Sequence, residues 1–227
     1  MTTLTPDLCI IGAGSGGLSL AAGAAQMGAR VVLIEGGHMG GDCLNFGCVP
    51  SKALLAAAKV AQNARTAARF GVITGAVTVD FAAVHDHVQT AIATIAPHDS
   101  QQRFEGLGVT VIRATARFIG PKEVEAGGTL IRARRFVIAT GSRAALPDLP
   151  GLDTIPYLTN ETVFSLRTAP RHLVILGGGP IGLEMAMAHF RLGCEVTVIE
   201  AARALGHSHF QPDGTATQND QMARRSA

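Results

Sequence analysis

A stretch of 28 residues occurs twice in this 227-residue chain, 165 positions apart and without a gap. Residues 8–35 read LCIIGAGSGGLSLAAGAAQMGARVVLIE, and residues 173–200 read LVILGGGPIGLEMAMAHFRLGCEVTVIE, with eleven positions identical. Each copy has the same order: a short apolar run, a Gly-x-Gly-x-x-Gly turn, an amphipathic helical stretch, and a second apolar run ending in Glu. Apolar runs of this length read as buried strands, and a helix between two strands makes them parallel neighbours. The repeat therefore predicts an α/β chain with at least two β-α-β units. Composition agrees. Hydrophobic residues are 47% and charged residues 16%, which excludes a disordered chain. The 27 glycines have no three-residue period, excluding collagen, and four cysteines are too few for a disulfide scaffold. A net charge of +2 leaves no footprint for nucleic acid.

The glycine spacing has a physical reading. The first Gly (Gly12, Gly177) permits the tight turn, the second (Gly14, Gly179) lets a pyrophosphate approach the backbone, and the third (Gly17, Gly182) lets helix and strand pack closely. The helix N-terminus then offers unpaired N–H groups and partial positive charge to phosphates. Glu35 and Glu200 each stand 18 residues past the third Gly, placed to accept hydrogen bonds from ribose hydroxyls. A carboxylate there repels a 2′-phosphate, so both copies favour FAD or NAD over NADP. The uncharged run over residues 8–29 is long enough to span a bilayer, but six glycines oppose a membrane helix. No Lys or Arg precedes it as a signal peptide requires, and Asp7 stands there instead. The expectation is a soluble, cytoplasmic protein with no membrane or nucleic-acid partner.

Between the copies stands Gly40-Gly41-Asp42-Cys43-Leu44-Asn45-Phe46-Gly47-Cys48-Val49-Pro50-Ser51-Lys52. Pro50 suits the first turn of a helix, and residues 53–68 are rich in helix formers. Cys48 then lies at a helix N-terminus, where the dipole favours thiolate, the nucleophile of disulfide exchange. A structural disulfide and a metal site are the alternatives. His38, Cys43 and Cys48 could supply three ligands, but no fourth stands at zinc-like spacing. Cys9 and Cys194 adjoin apolar runs and read as small buried hydrophobes.

This segment, with the glycine turns around it, resembles the redox-active signature of the class I flavoprotein disulfide reductases, the dihydrolipoamide dehydrogenase, glutathione reductase and mercuric reductase family. The resemblance runs over about residues 8–205. It implies FAD on the first copy and NAD(P)H on the second. It implies that Cys43 exchanges with substrate, that Cys48 makes the charge-transfer contact with flavin, and that Lys52 lies near the flavin N5. Glu184, which stands where the first copy has Ser19, is paired with Lys52 in the family. Ala139-Thr140-Gly141-Ser142 matches the segment where the chain leaves the FAD domain, and Ala116 matches a position whose backbone contacts FAD. The resemblance thus makes Cys43, Cys48, Lys52 and Glu184 catalytic, and adds Gly41, Asp42, Lys52, Ala116, Thr140 and Gly141 to the cofactor residues of the two turns. Asp42 departs from the usual Thr, and its carboxylate should turn away from phosphate or leave only its backbone to act. Pro180 and Glu200 lean toward NAD and toward the lipoamide or mercuric branch.

In the middle of the chain, Phe81, Val84, Val88, Ile92 and Ile95 fall at helical spacing and read as core, with Pro97 ending the helix. Residues 109–112, 117–119 and 129–133 read as short strands, with turns at Gly120-Pro121 and Gly127-Gly128. The expected fold class is α/β: an FAD-binding Rossmann-like three-layer domain with an inserted antiparallel meander, plus an incomplete NAD-binding Rossmann unit. Domains are expected at 1–150 and 151–205, followed by a disordered, non-family tail at 206–227 that contains His207-x-His209. The resemblance further implies a homodimeric parent whose dimer domain and acid–base His–Glu pair have no counterpart here. This leads to the expectation of a truncated form, weakly active or inactive. The expected parent activity passes electrons between NADH, flavin and the Cys43–Cys48 disulfide, acting on a small-molecule or protein-bound disulfide or dithiol. A mercuric reductase-like activity and a non-enzymatic dinucleotide-binding remnant are the alternatives.

Overall fold

The computed structural model describes residues 2–201. In chain order the regular elements are β1 (Thr2–Leu4), β2 (Leu8–Ile11), α1 (Ser15–Gln26), β3 (Val31–Ile34), α2 (Gly41–Asn45), α3 (Cys48–Thr66), α4 (Phe81–Ile95), α5 (Gln101–Gly106), β4 (Thr110–Ile112), β5 (Arg117–Gly120), β6 (Glu123–Ala126), β7 (Thr129–Ile131), β8 (Arg135–Ile138), α6 (Asn160–Val163), β9 (His172–Leu176), α7 (Pro180–Arg191) and β10 (Glu195–Ile199). Packing divides them into two compact units, each discontinuous in sequence. One joins the chain up to Pro50 with Gln89–Phe164, and the other joins Ser51–Val88 with the segment from Ser165 onward. The expected tail at 206–227 lies outside the described residues. Among the described residues no helix is long and apolar enough to cross a membrane.

The first unit has three layers. Its middle layer is a parallel sheet in the order β4-β3-β2-β8, with Cys9 opposite Val32 and Phe136, and Leu33 opposite Ile10 and Val111. Alternate side chains of a strand point to opposite faces. Ile10, Val31 and Leu33 meet Leu18 and Ala21 of α1 and Phe104 of α5 on one face. Cys9, Val32 and Ile34 meet Val124, Ala126, Ile131 and Ala133 on the other. Every residue of β3 is buried, as a parallel strand covered on both faces requires. Each such aliphatic side chain contributes roughly 1.5–3 kcal/mol on burial.

The outer sheet has the order β1-β7-β6-β5. Its β5-β6-β7 part is the expected antiparallel meander, whereas β1 joins alongside β7 in parallel. The strands β1 and β6 and the short helices α2 and α5 carry no sequence pattern that marks them. The strand β6 reads EVEA, too short and too charged to stand out, yet its alternation buries Val124 and Ala126 completely.

In the second unit β9 and β10 pair in parallel over five residues, with α7 as the connection between them. Among the described residues nothing covers one face of this pair: Val174, Leu176 and Ile199 are all about half exposed. Two strands and one helix cannot cover both faces of a sheet. The helical stripe read in α4 is only partly core. Phe81 and Val88 are buried, Val84 and Ile92 half-buried, and Ile95 exposed. At Phe81 the partner is the ring of His189 on α7, 6.1 Å away between centroids, so this end of the stripe is covered and the far end is not. His189 itself is buried, and its Nδ1 hydrogen-bonds the Met185 carbonyl.

Candidate active site

The first glycine turn joins β2 to α1. Gly12 has a φ of +107°, and a Cβ there would stand 2.2 Å from the Ala139 carbonyl oxygen, so only glycine fits between the turn and the end of β8. This contact places Thr140 beside the turn, with Gly141 next, in the left-handed region at +69°. A Cβ at Gly17 would stand 1.8 Å from the Gly12 carbonyl oxygen, which is the close helix–strand packing the spacing predicts. Helix α1 begins after Gly14 with no side-chain cap and no acidic residue in its first turn. Its first N–H groups are therefore left for an anion. Glu35 at the end of β3 turns its carboxylate to this place, accepting 2.6 Å from the Ala13 N–H and 2.5 Å from the Gly37 N–H. Ala116 follows Thr115, whose hydroxyl crowds Gly36 next to Glu35.

The cysteine segment is fastened to this turn by backbone. The Gly40 N–H donates to the Ala13 carbonyl at 2.9 Å, and a Cβ on Gly41 would stand 2.6 Å from the Gly14 Cα. Cys43 lies in the short helix α2, which the sequence reading did not foresee, and Cys48 is the first residue of α3. Asn45, also missed, closes α2 by donating its amide to the carbonyls of Met39 and Gly41 at 3.1 and 2.8 Å. The two cysteines are thiols, Cys43 half-buried and Cys48 exposed. Burial pushes the Cys43 thiol above its ordinary range. A hydrogen bond with Cys48 pushes it further the same way, and the charge of Asp99 adds to the rise. Asp42 directs its carboxylate to Asn160, accepting a hydrogen bond from its amide at 2.8 Å. Nothing local in the sequence marks Asn160, because the contact spans 118 positions. His38, Cys43 and Cys48 do not gather as metal ligands; among the described residues no group of three or more His, Cys, Asp or Glu is so placed.

In the second unit Lys52 Nζ donates to Glu184 Oε1 at 2.7 Å. Lys52 sits on α3 one turn beyond Cys48, and Glu184 on the first turn and a half of α7. Both side chains keep solvent contact, at 63% and 38% exposure, so the pair is an open one. The second glycine turn repeats the first. Gly177 has a φ of +108°, a Cβ at Gly182 would stand 2.1 Å from the Gly177 carbonyl oxygen, and Glu200 accepts 2.7 Å from the Gly178 N–H. Helix α7 starts after Gly179 with Pro180 in its first turn and no side-chain cap. Cys9 and Cys194 are buried, and burial lifts the Cys9 thiol to about 12.

A strand–glycine turn–helix with uncapped amides, a carboxylate bonded to the turn and a dithiol segment fastened beside it meet in one place. The chain belongs to the pyridine nucleotide-disulphide oxidoreductase family, whose family model matches residues 6–226. That match continues past Leu205, where the resemblance was expected to stop. Mercuric reductase from Streptomyces lividans is 39% identical over 216 residues, covering 92% of this chain and 45% of the relative. Dihydrolipoyl dehydrogenase from Chlamydia pneumoniae is 38% identical over 203 residues, covering 86% of this chain and 42% of the relative. Among solved structures, the Cu(II) complex of the HOCl-induced flavoprotein disulfide reductase RclA from Escherichia coli, in a mutant form, superposes with a TM-score of 0.78 at 28% identity. That superposition covers 92% of this chain and 45% of the other. The chain thus spans about half the length of the relatives it matches.

Proposed function

We infer that this chain serves FAD- and NAD(P)-dependent disulfide oxidoreduction, with Cys43 and Cys48 as the redox pair. The observation that carries the reading is the attachment of the dithiol segment to the first glycine turn at Gly41–Gly14 and Gly40–Ala13. Separate uses of the turn and the thiols would need no such contact. FAD, when bound, would supply two-electron chemistry linking pyridine nucleotide to dithiol.

The residues present suit that group. The turn at Gly12, Gly14 and Gly17 and the uncapped amides of α1 would hold a pyrophosphate. The Glu35 carboxylate would accept from ribose hydroxyls, and Gly41, Asp42, Ala116, Thr140 and Gly141 would complete the wall. Gly177, Gly179, Gly182 and Glu200 would hold the nicotinamide nucleotide in the same way, with Glu200 favouring NAD over NADP. Cys43 would attack the substrate disulfide and Cys48 would resolve it; the hydrogen bond between them provides for proton sharing within the pair. Lys52, held by Glu184, would keep a positive charge one helical turn from Cys48.

The substrate class proposed is a disulfide or dithiol of the lipoyl type. A second reading, reduction of mercuric ion, is favoured by the 39% identity to a mercuric reductase, and two adjacent thiols suit a soft metal ion as substrate. The test is to purify the chain, record its flavin absorbance, and offer NADH with either lipoamide or mercuric ion. The expected result is bound flavin in the unsubstituted chain and in Cys43→Ser and Cys48→Ser alike, with the weak reduction of one acceptor that the unsubstituted chain supports lost in both variants. A chain that takes up no flavin, or turnover that survives Cys43→Ser, overturns the reading.

A further inference from the structure

Asp42 stands immediately before Cys43, with its carboxylate bonded to Asn160 and close to Gly47. Oδ1 accepts 2.8 Å from the Asn160 amide. The other side of the turn, at Gly47 immediately before Cys48, leaves little room for a side chain: a Cβ there would stand 3.1 Å from Asp42 Oδ2 and 3.0 Å from the Asp42 carbonyl oxygen. The backbone closes the same turn, with the Phe46 N–H donating to the Asp42 carbonyl at 2.8 Å. Asn160 is a seated anchor, because it opens α6 behind Thr159, whose hydroxyl and N–H form a reciprocal cap with that helix. The Asp42 backbone therefore closes the turn between the two cysteines, and Asn160 ties down the Asp42 side chain.

We propose that Asp42 and Asn160 form a clamp that holds the Cys43–Cys48 turn ready for disulfide closure, making both of them positioning residues of the redox pair. A disulfide needs its two Cβ atoms about 3.5–4.5 Å apart. The Cys43 and Cys48 side chains are already within hydrogen-bond reach of each other, and a turn held that way loses less conformational freedom when the bond forms. The clamp thus favours the disulfide over the dithiol. The step it biases is an exchange: the Cys43 and Cys48 thiols give up two electrons and two protons, and oxidised glutathione takes them to become two glutathione thiols. The proposal rests on the reading of Cys43 and Cys48 as a redox pair.

The test equilibrates the purified chain in glutathione buffers of graded redox ratio at neutral pH. Free thiols are then trapped with a maleimide and scored at Cys43 and Cys48 by mass spectrometry. Cys9 and Cys194, being buried, stay unlabelled in the native chain. Asp42→Ala and Asn160→Ala are each expected to make the disulfide about tenfold easier to reduce, which is about 30 mV for a two-electron couple. The double variant is expected to shift no further than either single one, because both open the same clamp. Asp42→Asn keeps an acceptor oxygen toward Asn160 and is expected to stay within about twofold of the unsubstituted chain. Circular dichroism checks that each variant is folded. Should Asp42→Ala not fold, Asn160→Asp sets a second carboxylate against the first and carries the same expectation. Unshifted midpoints in the folded variants overturn the clamp while leaving the redox pair intact, and so does a double variant whose shift is the sum of the singles. A chain that forms no Cys43–Cys48 disulfide at any ratio overturns the redox reading and the clamp together.

Discussion

At the first glycine turn, a Cβ on Gly12 would stand 2.2 Å from the Ala139 carbonyl oxygen, and one on Gly41 would stand 2.6 Å from the Gly14 Cα. At the second, Gly177 and Gly179 have no heavy atom within 4 Å of such a Cβ among the described residues. The inner contacts of the two turns are nonetheless alike, with Gly17 against Gly12 and Gly182 against Gly177, and a Glu carboxylate on a turn N–H in each. The difference separates two reasons for being glycine. The third glycine of each copy is required by the β-α-β unit itself. The first glycine of the first copy is required by what the rest of the chain brings against it, the end of β8.

The largest expected effect tests the shared part. Gly17→Ala and Gly182→Ala should each cost about 3 kcal/mol or more in urea unfolding, since the new carbon collides with backbone that cannot step aside. A copy that tolerated the change would break the equivalence. The same series sharpens the difference. Gly12→Ala should match those losses, whereas Gly177→Ala should cost only the strain of its positive φ, on the order of 1–3 kcal/mol.

The next effect concerns His189, whose counterpart in the first copy is Ala24. Burial holds the His189 imidazole below its usual range, so the folded chain keeps it neutral. The unfolded chain takes up that proton near pH 6.5. Below this pH the unfolded state binds more protons, so stability is full above about 6.5 and is lost as pH falls, by up to about 1.4 kcal/mol per pH unit. Urea melts between pH 7 and pH 5 measure the slope, and His189→Gln should lose that part of it. An unchanged slope would assign the acid sensitivity elsewhere.

The smallest effect is at Lys52–Glu184. The pair is solvent-screened, so Lys52→Ala should change stability by less than about 1 kcal/mol. A large loss of stability would give the pair a structural role in place of the functional one proposed for it.

Much of the site is legible in the residues because its chemistry is local. The turns, the strands beside them and the cysteine segment announce themselves by spacing within about 30 positions. The strand β6 did not, because four residues of mixed charge carry too little periodicity. The partial exposure of the α4 stripe was equally hidden, because a helical pattern states which side can be buried and not how far along its length a partner extends. Asn160 lay beyond reach for the same reason, as its role exists only through a carboxylate 118 positions away.

By itself, then, the sequence determined the two β-α-β units, the glycines inside them and the placement of Cys48 at a helix start. These follow from steric and hydrogen-bonding rules that act over a few neighbouring residues. Tertiary structure alone decided that Gly12 abuts Ala139, that the dithiol segment rests on the first turn, and that burial lifts the Cys43 thiol. Those outcomes depend on which distant backbone fills the space around a turn, and short-range residue pattern carries no record of it.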